Sequence, residues 1–139
     1  GLEGSIPREP SIALGTADAS LLEMAQAYGT FANRGRRPTP HYLDRIETAD
    51  GKVIVKFNRP NPNRFPQLLE TGHADMMIKM LQAVVDSGTA RRLRYEFSLG
   101  NAIGGKTGTT QNNSDGWFMG FTPKLVAGAW VGAETPQVH

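Results

Sequence analysis

Apolar positions follow a helical period in two stretches and shorten into strand-like runs toward the C-terminus. Leu21, Met24, Ala25, Tyr28, Phe31 and Ala32 share one face at the 3.6-residue spacing of a helix. Ser20 and Glu23 precede that stripe with capping-box spacing: the Ser20 hydroxyl accepts from the Glu23 amide, and the Glu23 carboxylate reaches back. Gly35 is positioned to stop the helix. A second helix is predicted from about residue 72 to 86, with Ala74, Met77, Ile78, Leu81, Val84 and Val85 inward, and Ser87-Gly88-Thr89 ends it. Between the two, residues 41–48 and 52–57 read as a small hairpin around Ala49-Asp50-Gly51, and the proline-rich residues 60–66 as a loop. Residues 103–109, 116–121 and 125–131 read as three strands. The links between them are short, a polar turn over 111–114 and Thr122-Pro123-Lys124, so the strands form an antiparallel meander. Residues 95–99 alternate weakly and are too short for a central strand.

Composition narrows the function classes. A chain of 139 residues is long enough for one domain with a core. Fifteen Lys and Arg against 13 Asp and Glu give a net charge of +2, too small to argue for nucleic acid or an acidic membrane surface. The clusters Arg34, Arg36, Arg37 and Arg91, Arg92, Arg94 read as helix-end and loop charges in solvent. There is no Cys, so zinc held on thiolates is excluded, and His41, His73 and His139 lack ligand spacing; no metal or cofactor is expected. The longest apolar run, residues 125–133, is far short of the ~20 residues that span a bilayer. The abrupt start and the end just after a strand give the expectation of a piece of something longer.

The candidate chemistry lies in Gly100-Asn-Ala-Ile-Gly-Gly105-Lys106-Thr107-Gly108-Thr109-Thr110, which satisfies two unrelated motifs. Gly100, Gly105, Lys106 and Thr107 fit the G-x-x-x-x-G-K-[ST] loop that cradles nucleotide phosphates. Lys106-Thr107-Gly108 fits the K-T-G of penicillin-binding proteins and serine β-lactamases. The first needs a helix immediately after Thr107, whose N-terminus holds the phosphate. Residues 108–116 contain two Gly, two Asn, two Thr, a Ser and an Asp. Making them helical costs on the order of 5 kcal/mol in propensity alone, and no apolar stripe offsets it. The second motif needs a strand at Lys106 and a hairpin to the next strand, which the meander supplies.

The wider pattern resembles class A penicillin-binding proteins, the bifunctional peptidoglycan synthases, and specifically the C-terminal half of their transpeptidase domain. Ala13-Leu-Gly-Thr16, Leu22-Glu-Met-Ala-Gln-Ala-Tyr28, Phe31-Ala-Asn33 and Gly35 are similar to the segment after the second active-site motif. Leu81-Gln-Ala-Val-Val-Asp-Ser-Gly-Thr89 is similar to the helix that follows. Gly105-Lys-Thr-Gly-Thr-Thr110, then Asp115-Gly-Trp-Phe-Met-Gly-Phe-Thr-Pro123 and Gly128-Ala-Trp-Val-Gly132, resembles the third motif and the last two strands. The resemblance implies a serine acyltransferase that forms an acyl-enzyme from a D-Ala–D-Ala peptide and passes the acyl group to an amine. It implies that Lys106 brings positive charge to the nucleophile and the substrate carboxylate. It implies that Thr107 and Thr109 bind that carboxylate, that the Thr109 amide is an oxyanion donor, and that Gly108 admits the ligand backbone closely. Thr110 completes the motif.

One departure is serious. The family's S-x-x-K nucleophile motif and its S-x-N motif are absent at every serine of this sequence. The expectation is therefore a mixed α/β fold with an antiparallel sheet flanked by helices, a partial penicillin-binding transpeptidase fold. Residues 1–139 form the C-terminal part of one transpeptidase domain, without its nucleophile and inactive alone. The implied partners are the peptidoglycan stem peptide and β-lactams, with no nucleic acid. The implied location is the outer side of the bacterial cytoplasmic membrane, where the parent is anchored. Self-association through residues 125–131 is expected of the piece on its own. A P-loop NTPase and a non-catalytic module that binds peptide along a strand edge remain the rival readings.

Overall fold

The computed structural model describes residues 6–15, 17–109 and 115–132. After a short 3-10 helix at Pro10–Leu14 come α1 (Leu21–Ala32), β1 (Arg45–Glu47), β2 (Val53–Lys56), α2 (Thr71–Asp86), α3 (Arg92–Tyr95), β3 (Gly104–Thr109), β4 (Asp115–Phe121) and β5 (Val126–Gly132). The fold is mixed α/β. β1 and β2 make a separate antiparallel hairpin, and β3-β4-β5 make an antiparallel sheet in chain order.

The local signals explain the elements. Ser20 Oγ accepts from the Glu23 amide at 3.2 Å, and the Ser20 amide donates to Glu23 Oε2 at 2.8 Å, which closes the capping box of α1. Beyond α1, Arg34 (φ 53°) and Gly35 (φ 92°) turn the chain through the left-handed region, and the Gly35 amide donates to the Thr30 carbonyl at 2.8 Å. Gly51 (φ 86°) makes the β1–β2 turn. The β4–β5 turn is tied by the Thr122 amide donating to the Leu125 carbonyl at 2.7 Å and the Leu125 amide to Thr122 Oγ1 at 3.1 Å. That bond makes Leu125 the turn's last residue, so β5 begins one position later than the apolar run.

α1 packs on β4 and β5, α2 packs on β3, and the two helices touch. The core holds Ala74, Leu81 and Val85 of α2, Ala90, Ile103, Met119 and Phe121. Burial on α1 is centred on Gly29 and Thr30, not on the expected apolar stripe, whose members are half-buried or, at Leu21, exposed. The reason is close approach. A Cβ on Gly29 would lie 3.0 Å from Pro38 Cγ, and the Thr30 hydroxyl is satisfied by the Gln26 carbonyl at 2.9 Å. Residues 95–99 contain no strand, and α3 occupies their approach instead.

Arg94 corrects the reading of its cluster as solvated. Its side chain is only 24% exposed. The guanidinium grips Asp86 Oδ1 at 2.6 and 2.9 Å and donates to the carbonyls of Leu99 at 2.5 Å and Asn101 at 2.7 Å. It ties the end of α2 to the segment leading into β3.

Candidate active site

β3 is an outer strand of its sheet, and it carries the candidate residues consecutively. Lys106 pairs with Met119, Thr107 with Phe118, Gly108 with Trp117 and Thr109 with Gly116. Strand alternation puts Thr107 and Thr109 on one face and Lys106 and Gly108 on the other. Lys106 is exposed, and its Nζ donates to the Thr107 carbonyl at 2.7 Å. Thr107 is half-buried, and its hydroxyl lies 2.7 Å from that of Thr89. A Cβ on Gly108 would lie 3.2 Å from Trp117 Cβ. Thr110 lies outside the described residues, as do the turn residues 111–114.

Two glycines let the strand lie close to its neighbour. A Cβ on Gly104 would lie 2.6 Å from the Phe121 ring, and one on Gly105 would lie 2.9 Å from the Phe118 ring. Phe118 in turn packs on the cluster of Val85, Ala90 and Ile103. The strand bearing the candidate residues is thus seated on the core from its buried N-terminal end, while its second half rises to the surface. With no strand paired to its outer edge among the described residues, β3 offers alternate backbone N–H and C=O groups to an extended ligand.

This geometry removes the nucleotide-loop reading. The chain stays extended and paired through Gly108 and Thr109, where a phosphate-binding loop needs its helix to begin. Sequence reasoning missed Thr89. It was visible as part of the Ser87-Gly88-Thr89 helix stop and of the stretch 81–89 that carries the resemblance, but nothing in the sequence pairs it with a residue 18 positions later.

A depression of about 390 Å³ lies elsewhere, lined by Thr39, His41, Tyr42, Asp44, Arg59, Pro60 and Phe65 beside the hairpin. Asp44 there is hydrogen-bonded by Arg59 and by His41 Nε2 at 2.9 Å, and these contacts, Arg59 foremost, hold its carboxyl down to about 2. Its Arg59 and Asp44 side chains are exposed and paired with each other, and no residue of the lining belongs to β3. On chemistry, the β3 cluster outranks it.

The sequence model of the family described as penicillin binding protein transpeptidase domain matches residues 8–136. The chain belongs to the penicillin-binding protein transpeptidase family. Penicillin-binding protein 1A of Neisseria cinerea is 38% identical over 134 residues, 95% of this chain and 16% of the relative. The crystal structure of penicillin-binding protein 1A from Haemophilus influenzae superposes with a TM-score of 0.78 at 25% identity, covering 91% of this chain and 24% of that one. The PonA1 protein from Mycobacterium tuberculosis, solved in complex with penicillin V, gives a TM-score of 0.68 at 27% identity over 91% of this chain and 32% of its own. The chain therefore spans about a sixth of the curated relative's length. Among the described residues no helix is long and apolar enough to cross a membrane.

Proposed function

We infer that residues 1–139 are the C-terminal part of a D,D-transpeptidase domain that cross-links cell-wall peptides through an acyl-enzyme. The observation that carries this is Lys106-Thr107-Gly108 on an outer strand of an antiparallel sheet, within a chain of this family. An extended stem peptide adds to the free edge of β3 by main-chain hydrogen bonds. The Lys106 ammonium, three donors on a flexible stem, supplies charge to the ligand carboxylate and beside the serine. The Thr107 and Thr109 hydroxyls share a face and converge on that carboxylate. The Thr109 amide stabilises the oxyanion, a contribution worth roughly 3 kcal/mol in comparable sites. Gly108 leaves room for the ligand backbone, and Thr110 extends the polar wall. The serine nucleophile comes from outside this sequence, which has no S-x-x-K. β-Lactams occupy the same wall, a reading supported by the penicillin V complex of the PonA1 relative. The parent is a membrane-anchored synthase of the cell envelope with this domain on the outer side.

The test is acylation by a fluorescent penicillin. The 139-residue chain alone takes no covalent label. In the full-length parent, Lys106→Ala lowers the second-order acylation rate by about a hundredfold or more, on the scale of one lost electrostatic contact to the transition state. The melting temperature stays in place, because the Lys106 side chain is exposed and its hydrogen bond among the described residues is to the neighbouring Thr107 carbonyl. A serine-linked adduct on the isolated chain, or a Lys106→Ala parent that acylates normally, would refute the assignment.

A further inference from the structure

The turn that closes α2 is held more firmly than a helix stop requires. The Gly88 amide donates to the carbonyls of Ala83 and Val84, each at 3.1 Å, and a Cβ on Gly88 would lie 2.8 Å from Val84 Cα. On the other side, the Ala90 amide donates to the Val84 carbonyl at 3.2 Å, and Ala90 is buried with Val85 and Ile103. The backbone of Thr89 is pinned between these two anchors. Its β-branched side chain has few rotamers. Its hydroxyl nevertheless faces β3, 2.7 Å from the hydroxyl of Thr107.

Two hydroxyls at that distance share one hydrogen bond, and its direction matters. A threonine hydroxyl has one proton and two acceptor lone pairs. If Thr107 donates to Thr89, it has no proton left for an anion. If Thr89 donates, the Thr107 proton is free, and the incoming bond polarises it into a stronger donor. An anion at Thr107 selects the second direction.

We propose that Thr89 is a positioning residue for carboxylate recognition: its hydroxyl donates to Thr107 Oγ1 and turns the Thr107 proton toward the ligand carboxylate. The proposal rests on the reading of Thr107 as a carboxylate donor. The alternative is a hydroxyl pair that merely fastens α2 to β3, and the two differ in what the ligand's charge does.

The experiment uses the full-length parent with Thr89→Val, Thr89→Ser, Thr107→Val and the Thr89→Val/Thr107→Val double variant. Second-order acylation rates are measured with benzylpenicillin and with its methyl ester, which has no anionic carboxylate. Thr89→Val is expected to slow the acid about tenfold, the loss of one hydrogen bond serving a charged group, and to leave the ester rate unchanged. Thr89→Ser restores the acid rate, all melting temperatures hold, and Thr89→Val adds nothing on top of Thr107→Val. Equal losses for acid and ester, a lowered melting temperature without rescue by Ser, or no loss at all would overturn the proposal. If Thr107→Val itself fails to distinguish acid from ester, the underlying reading of Thr107 fails and takes this proposal with it. If Thr107→Val distinguishes them and Thr89→Val does not, Thr89 alone is rejected.

Discussion

Gly35 shows what a single backbone position contributes. It is buried, sits at φ 92°, and its carbonyl accepts from the amides of Leu68 at 2.8 Å and Leu69 at 3.3 Å. A Cβ there would run into the Leu69 carbonyl and the Gln67 amide nitrogen, and L side chains rarely adopt that φ. Gly35→Ala is expected to destabilise the domain by about 1–3 kcal/mol, measured by chemical denaturation. A change within a few tenths would show that the loop relaxes freely. As a helix stop this glycine was legible from its place after the apolar stripe. Its second task, joining residues 35–37 to residues 66–69, was not, because that contact depends on chain return. Thr89 is the same case: a residue with an obvious local role has a tertiary one that no local pattern encodes.

At the scale of elements, periodicity was a good guide where a segment meets its neighbours through side chains. α2 was legible because a 16-residue helix has one face inward throughout, and β3, β4 and β5 because short links force adjacent strands to pair. Element junctions were harder. Beyond the Ser87-Gly88-Thr89 stop, the segment between α2 and β3 has no apolar period, and Arg94 helps to order it, its guanidinium bound by Asp86, Leu99 and Asn101. Removing it leaves two carbonyls and a carboxylate to water and frees the approach to β3. Arg94→Ala is therefore expected to cost about 1–3 kcal/mol and to raise amide exchange across residues 96–104. Arg94→Lys is expected to recover little, since a single ammonium cannot match a fork that reaches three acceptors at once. Full recovery with Lys would assign the effect to charge alone.

At the scale of the whole molecule, the sheet is unbalanced. β5 has the composition of a central strand: seven residues from Val126 to Gly132 with no charge and no proline. Yet it is an outer strand, Val126 is half-buried, and the remaining six residues are exposed, Trp130 to 42% and Val131 to 76%. Leu125 beside it is 64% exposed. Proteins protect such edges with charge, proline, bulges or a covering element, and none of these is present within the strand. Its exposed amides and carbonyls, flanked by apolar side chains, favour pairing with another strand. We propose that in the parent the rest of the domain supplies that strand; the chain spans 16% of the Neisseria cinerea relative. Alone in solution, a second copy of β5 can supply such a strand. The 139-residue chain is therefore expected to self-associate with rising concentration, by light scattering, with amide protection gained along the outer edge of residues 126–132. Val131→Lys places a charge on that edge and is expected to shift the chain toward monomer without unfolding it, because Val131 touches little of the core. A chain that stays monomeric at high concentration, with the outer amides of β5 exchanging freely, would show that this edge is tolerated as it is.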